Sequence, residues 1–114
     1  MSESFGTLID AGGLNVARIA SIRSALKKQW PFKDGEMFFY TIGNGEARML
    51  AISGGYSDDE PMRVFAERLA KAVWSANVEY CKVRISIMDH REFFTFDVRD
   101  YFRLMGTTFD SFFV

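Results

Sequence analysis

The sequence contains one cysteine, two prolines and one histidine, and it has no long run of apolar residues. Cys81 has no second cysteine with which to form a disulfide in the same chain, and this favours a reducing compartment. The first residues lack the basic start and apolar stretch of a secretory signal, and no segment approaches the ~18 consecutive apolar residues of a transmembrane helix. We therefore expect a cytoplasmic protein that does not associate with membranes.

An excess of one charge sign is also missing. Fourteen basic and fifteen acidic residues give a net charge of −1. The chain as a whole therefore does not attract nucleic acid or an anionic membrane, although a local patch is compatible with this balance. With 114 residues, 48% of them apolar, the sequence has the size and composition of one domain spanning residues 1–114.

Phenylalanine, by contrast, is the commonest residue, with twelve copies. Seven of them follow position 92: Phe93, Phe94, Phe96, Phe102, Phe109, Phe112 and Phe113. Each ring can bury on the order of 150–250 Å². The aromatic C-terminal segment, residues 100–114, is therefore expected to dock on its own domain or to be exchanged between two chains of a homodimer. Its contact residues would be Phe109, Phe112 and Phe113.

Apolar residues at helical spacing predict a first helix from about Leu14 to Trp30. Asn15 is expected to cap this helix, and Pro31 to end it. A short helical turn is also expected at Asp100–Met105.

The second predicted helix is more clearly marked. It starts at Pro61, directly after Asp58, Asp59 and Glu60, whose carboxylates would accept its free amides and complement its dipole. Its buried stripe consists of Met62, Phe65, Ala66, Leu69, Ala72, Val73 and Ala76. Trp74 would lie well off that stripe.

Four strand-like runs form two predicted hairpins. The first hairpin pairs Glu36–Ile42 with Glu46–Ile52 through a glycine-rich turn at residues 43–45, where positive φ angles are needed. The second pairs Tyr80–Met88 with Glu92–Arg99, and both of these runs alternate between apolar and polar residues.

The predicted fold is α+β, a two-layer sandwich in which an antiparallel sheet of four or five strands carries two helices on one face. The element order would be αββαββ. A further strand at Phe5–Asp10 would change the order to βαββαβ plus one strand, a ferredoxin-like arrangement, although Gly6 weakens a strand there.

The free face of this sheet is the first candidate site. By alternation it carries Tyr80, Lys82, Arg84, Met88, Phe93, Thr95 and Arg99. It would be a solvated surface, an interface with another protein, or a platform on which aromatic and basic side chains bind single-stranded nucleic acid. The slightly negative net charge disfavours nucleic acid. For a protein partner we expect contacts from Tyr80, Arg84 and Phe93.

Two further groups are candidate partner contacts. Trp74 is one, because tryptophan outside a core stripe is a common interface anchor; the alternative is that the N-terminal segment or the aromatic C-terminal segment covers it. The acidic cluster Asp58, Asp59 and Glu60 is the other, although helix capping accounts for the same residues.

Enzymatic chemistry has no support in the sequence. His90 lies in a predicted turn with no identifiable partner residue to orient it, and Cys81 lies on the predicted buried face of a strand. Phosphate-loop and calcium-loop spacings are missing. We therefore predict a protein that is not an enzyme, with no catalytic residues, no metal and no cofactor.

These observations favour a small non-catalytic protein-binding module that acts by occupying a surface of its partner. Inhibitors, immunity proteins and phage anti-defence (anti-CRISPR-like) proteins are often of this size and equally poor in motifs. Two alternatives stay open: single-stranded nucleic-acid binding through the free sheet face, and a small-molecule-binding or regulatory domain with a pocket between helices and sheet.

Overall fold

The computed structural model describes residues 6–53, 59–88 and 91–106. In chain order the strands and α-helices are β1 (Thr7–Asn15), α1 (Ile19–Gln29), β2 (Met37–Gly43), β3 (Glu46–Ser53), α2 (Met62–Asn77), β4 (Lys82–Ile87), β5 (Glu92–Phe96) and α3 (Val98–Met105). Single 3-10 turns precede α1 and β2. No helix formed by these residues is long and apolar enough to cross a membrane.

The five strands form one open sheet in the order β2-β3-β1-β4-β5, and each strand is antiparallel to its neighbours. The predicted α+β class with an antiparallel sheet is therefore confirmed. The helix-first order αββαββ is wrong, because residues 7–15 form a strand and that strand is the centre of the sheet. Within the described part of the chain, a strand therefore precedes the first helix, and α3 follows the last strand.

β1 pairs regularly with β3 as far as Ala11, and the register of this pairing shifts between Ala11 and Leu14. Gly13 lies in this shift with a φ of 74°, a conformation that glycine adopts without strain. Beyond this shift, the side chain of Asn15 accepts a hydrogen bond from the backbone amide of Ala17 at 3.0 Å. The backbone amide of Asn15 donates to Asn77 Oδ1 at 2.8 Å. Asn15 thus caps the 3-10 turn Val16–Arg18 that leads into α1, whereas the capping position of α1 itself is Arg18, which makes no side-chain cap. Asn15 also ties the end of β1 to the end of α2.

One face of the sheet belongs to the hydrophobic core. Its buried side chains alternate along the strands and include Ile9, Ala11, Met49, Ala51, Val83, Ile85 and Ile87. Ile22 and Leu26 of α1, and Phe65, Leu69 and Val73 of α2, lie in the same cluster. The 3.6-residue period of the helices and the two-residue period of the strands therefore meet in a single apolar interior.

The first hairpin agrees with the prediction. Asn44 and Gly45 form its turn with φ angles of 54° and 76°, which is the left-handed conformation that a tight hairpin requires. The second hairpin is shorter than predicted, because β5 ends at Phe96. Asp97 accepts hydrogen bonds from the amides of Arg99 and Asp100 and thereby caps α3, so Arg99 belongs to a helix and not to a strand.

The start of α2 also differs from the prediction. Pro61 occupies the capping position itself, and no side chain caps the helix there. Asp58 lies outside the described residues. Asp59 is exposed, and Glu60 forms an ion pair with Arg68 inside the helix. The capping position of α2 thus falls on Pro61, and the carboxylate of Glu60 pairs with Arg68.

Candidate functional site

The sheet face opposite the core is formed by alternate residues of all five strands, and we call it the open face. Its residues are Leu8, Asp10, Gly12, Phe38, Tyr40, Ile42, Arg48, Leu50, Ile52, Lys82, Arg84, Ser86, Phe93 and Thr95. The register places Leu50 and Arg84 on either side of Asp10 on the central strand. Long side chains of neighbouring strands are therefore within reach of one another across the whole face.

Large apolar side chains are exposed at both edges of the open face. On β2, Phe38, Tyr40 and Ile42 are 53%, 46% and 60% exposed, and on β5 Phe93 is 58% exposed. Ile52 of β3 is exposed as well. Single exposed apolar residues are ordinary, but several on one continuous face are typical of an interaction surface.

An ion pair orders part of the middle of the open face. Arg48 Nε and Nη2 donate to the two carboxylate oxygens of Asp10 at 3.1 and 2.9 Å. This two-pronged contact holds the guanidinium flat against the strands. The hydrogen bond and charge of Asp10 raise the pKa of Arg48 above its ordinary value, so this arginine stays charged.

Two of the predicted contact residues lie side by side on this face. The guanidinium carbon of Arg84 is 4.8 Å from the centre of the Phe93 ring, a cation–π contact between β4 and β5. Arg84 pairs with Thr95 in the strand register and Phe93 pairs with Ser86, so the contact runs diagonally. The structure thus brings Arg84 and Phe93 together at one edge.

A shallow depression of about 460 Å³ lies between these groups, where Gly12 of the central strand has no side chain. We call it the basic hollow, and it is lined by Asp10, Gly12, Ile42, Arg48, Lys82 and Arg84. Three cationic side chains surround a single carboxylate, and that carboxylate is already paired with Arg48. The sequence did not predict this feature, because it depends on β1 lying between β3 and β4.

Trp74 is not on the surface, and the expectation that it lies outside the core is wrong. It is 1% exposed, and its indole Nε1 donates a hydrogen bond to the Cys81 carbonyl at 2.7 Å. The rings of Phe96 and Tyr101 meet it edge-on, at centroid distances of 6.1 and 5.2 Å. The cover is provided by β5 and α3, so part of the aromatic C-terminal segment does pack against this tryptophan.

Tyr80 likewise belongs to this aromatic group and not to the open face. It lies just before β4, half-buried, with its ring 5.7 Å from that of Tyr101 and 6.3 Å from that of Trp74. Burial, and secondarily the charge of Asp97, raises the pKa of its hydroxyl. The predicted trio of Tyr80, Arg84 and Phe93 is therefore split between two places.

The remaining predicted contacts do not join this surface. Asp59 and Glu60 precede α2, and Arg68 ties Glu60 to that helix while also donating to the Gln29 carbonyl at 2.7 Å. Asp58 and the tail residues Phe109, Phe112 and Phe113 lie outside the described residues. The helical turn expected at 100–105 is present as part of α3, which ends at Gly106 with a φ of 73°.

Cys81 is buried, and that burial raises the pKa of its thiol to about 12. His90 lies outside the described residues. Across 6–53, 59–88 and 91–106, no group of three or more histidine, cysteine or acidic side chains is placed to hold a metal ion.

Compared with known proteins, the chain matches no family model, no curated protein and no solved structure.

Proposed function

We propose that the chain is a small protein-binding module that occupies a surface of its partner with the open face. The observation that carries this proposal is the concentration of exposed Phe38, Tyr40, Ile42 and Phe93 around ordered arginines on one sheet face. Aromatic and arginine side chains contribute most of the binding energy in protein interfaces. A ferredoxin-like two-layer sandwich, extended by β5 and α3, would be the frame that holds this face rigid.

The charges of the open face support a partner that carries an acidic side chain. Asp10 neutralises Arg48, whereas Lys82 and Arg84 have no ion pair within the described part of the chain. An acidic side chain of the partner would therefore enter the basic hollow, and apolar side chains around it would cover the exposed rings at the two edges. A carboxylate enclosed in this way would form charge-assisted hydrogen bonds with Lys82 and Arg84.

Such a module works by steric occupation. It would block a catalytic or recognition surface of its partner, as inhibitors, immunity proteins and phage anti-defence proteins do. This mode of action needs neither a cofactor nor a catalytic residue in the chain itself.

Nucleic acid is the second candidate, because the basic hollow lies close to exposed aromatic rings. A phosphate would fit the cations, and bases would stack on Tyr40 or Phe93. The central strands oppose this function, since they present Leu8, Asp10, Leu50 and Ile52 where a stacking platform would need aromatic rings. The carboxylate of Asp10 would also repel the phosphate backbone.

Affinity capture from the native host, with the unmodified chain and four variants in parallel, tests the proposal. Arg84→Glu reverses a charge at the hollow and Phe93→Ala removes an exposed ring, while Lys71→Glu and Val64→Ala make matched changes at exposed positions of α2. We expect one protein to be captured by the unmodified chain and by both α2 variants. The dissociation constant between this captured protein and each open-face variant should be roughly tenfold or more above the value for the unmodified chain.

Equal capture by all four variants would rule out the open face as the binding surface. The salt dependence of binding distinguishes a nucleic-acid partner from a protein partner, because affinity that depends on phosphate contacts falls steeply as the salt concentration increases. Tight binding of a single-stranded oligonucleotide at low salt, lost in Arg84→Glu and weakened by added salt, would replace the protein-binding proposal with the nucleic-acid one.

A further inference from the structure

The two edges of the sheet differ in how well they are protected against pairing with another strand. β5 is five residues long and begins with the charged Glu92, and α3 follows it after one residue. β2 is seven residues long, and its sequence Met-Phe-Phe-Tyr-Thr-Ile-Gly contains neither a charge nor a proline. Short length, charge and proline are the usual protections of an edge strand, and β2 has none of these.

Among the described strands, β2 pairs only with β3. Within residues 6–53, 59–88 and 91–106, its other side therefore presents a row of backbone amides and carbonyls that can accept a further strand. Phe38, Tyr40 and Ile42 stand exposed beside that row. Aromatic and β-branched residues are those that stabilise cross-strand pairs.

We propose that β2 pairs antiparallel with β2 of a second copy of this chain, so that two five-stranded sheets become one. The regular part of the strand is Met37–Thr41, since the pairing with β3 shifts register between Thr41 and Gly43. A two-fold axis at the midpoint, Phe39, places Phe38 of each copy opposite Tyr40 of the other. Two aromatic pairs then cross the new boundary on the open face.

Charge neither assists nor prevents pairing along β2 itself, but it weakens the contact near the axis. An antiparallel two-fold pairing opposes no like charges along the strand itself, because residues 37–43 are uncharged. Arg23 of α1 lies close to the strand, with its guanidinium carbon 4.9 Å from the centre of the Phe39 ring. Pairing brings two such guanidinium groups towards the axis. Added salt screens their repulsion, so it strengthens this dimer, whereas it weakens a complex held by opposite charges.

The size of the contact indicates a weak dimer. Four aromatic side chains, each about half exposed, would hide roughly 400 Å² if a whole ring covers about 200 Å². Stable interfaces bury about 1,200 Å² or more in total. The strand backbones and their flanking residues add to this area, and we expect a dimer that forms only at high protein concentration.

The test compares the full chain with Phe38→Lys and Phe93→Lys. These phenylalanines are 53% and 58% exposed on the same face, but they lie on opposite edge strands. Sedimentation equilibrium from about 1 μM to about 500 μM should show a monomer–dimer equilibrium for the unmodified chain and for Phe93→Lys. Phe38→Lys should raise the dimer dissociation constant at least tenfold, because it places a lysine against the new strand.

The register is tested separately with cysteines at the two exposed positions. A mixture of Phe38→Cys and Tyr40→Cys chains should form a mixed disulfide more readily than either chain alone, because antiparallel neighbours lie 4.5–5.5 Å apart between Cα atoms. The native Cys81 is buried and does not compete.

Three results would overturn the proposal. The first is an unmodified chain that stays monomeric over the whole concentration range. The second is a dimer that survives Phe38→Lys but disappears on truncation after Gly106, which would assign the contact to the aromatic C-terminal segment. The third is loss of the dimer in both lysine variants, which would assign it to face-to-face contact. Absence of the mixed disulfide in a dimer that Phe38→Lys disrupts would overturn the two-fold register.

Discussion

At the scale of single residues, Trp74 shows how a helical stripe can be wider than its sequence suggests. The residues Phe65, Leu69 and Val73 define the side of α2 that meets the sheet, and Trp74 lies about 100° further round the helix. It is nevertheless buried, because Tyr101 of α3 covers that flank. The covering helix comes from a distant part of the chain, so the periodicity of α2 alone could not predict it.

The thiol of Cys81 carries a pH prediction. In the unfolded chain it ionises near its ordinary pKa of about 8.5, whereas burial raises the pKa in the folded chain to about 12. Between these values the unfolded chain releases a proton that the folded chain retains, so the free energy of unfolding falls as the pH rises. The folded chain should also react slowly with thiol reagents at neutral pH, because the thiolate is the reacting species.

Urea unfolding of the unmodified chain and of Cys81→Ala at about pH 8 and about pH 10 provides the measurement. Alanine has no thiol to ionise, so the stability advantage of the unmodified chain should shrink by up to about 2 kcal/mol over this range. Comparison of the two chains cancels the titration of lysines and tyrosines. An advantage that stays constant with pH would show that the thiol titrates equally in both states.

At the scale of elements, local pattern determined which segments could be predicted. The hairpin β2–β3 and the helix α2 follow from neighbouring residues, namely the turn at Asn44-Gly45 and the apolar spacing from Phe65 to Val73. β1 contains Gly12 and Gly13 and is stabilised by pairing with two distant strands, so its local sequence indicates it weakly. The apolar–polar alternation of β5 also continues past Phe96, where the strand ends. The sequence pattern therefore predicts a strand at Asp97, the residue that caps α3.

The cap of α3 is itself testable. Asp97 accepts hydrogen bonds from two helix amides while Asp100 accepts from the Asp97 amide at 3.0 Å, a reciprocal capping box. Backbone hydrogen bonding, chiefly from Asp100, lowers the pKa of Asp97, so the charged form is the one that caps the helix. Asp97→Ala should lower the thermal midpoint measured by circular dichroism at neutral pH by several degrees. Asp97→Ser keeps an acceptor and should retain most of the stability; equal melting of both variants would exclude a capping role.

At the scale of the whole molecule, the open face depends on the position of one strand. Arg84 and Phe93 could be predicted to share a face because they alternate within a single hairpin. Asp10, Gly12 and Arg48 could not be assigned to the same site, because their proximity requires β1 to lie between β3 and β4. Long-range strand order has no local sequence signal, and the basic hollow is a consequence of that order.

Because distant segments of the chain meet in one hydrophobic core, we expect the molecule to unfold as one unit. Trp30 donates from Nε1 to Ser53 Oγ at 2.8 Å and meets the Phe65 ring at 5.1 Å, while Trp74 is enclosed near the other end of α2. Trp30 therefore packs against α2 and Trp74 belongs to it, and the buried residues of this helix lie in one cluster with those of the central strands. Fluorescence of the remaining tryptophan in Trp30→Phe and in Trp74→Phe reports on one end of the helix at a time.

In each variant, the urea transition seen by tryptophan fluorescence should coincide with the transition seen by far-ultraviolet circular dichroism. Trp74→Phe should be the less stable variant, by about 1–3 kcal/mol relative to the unmodified chain, because it removes the donor to the Cys81 carbonyl and leaves a void beside Tyr101. Separate transitions would contradict a single core. If the Trp74 end unfolded first, α3 and β5 would form a weaker unit attached to a β1–β4 core, and Phe93 would then be displayed on a mobile edge.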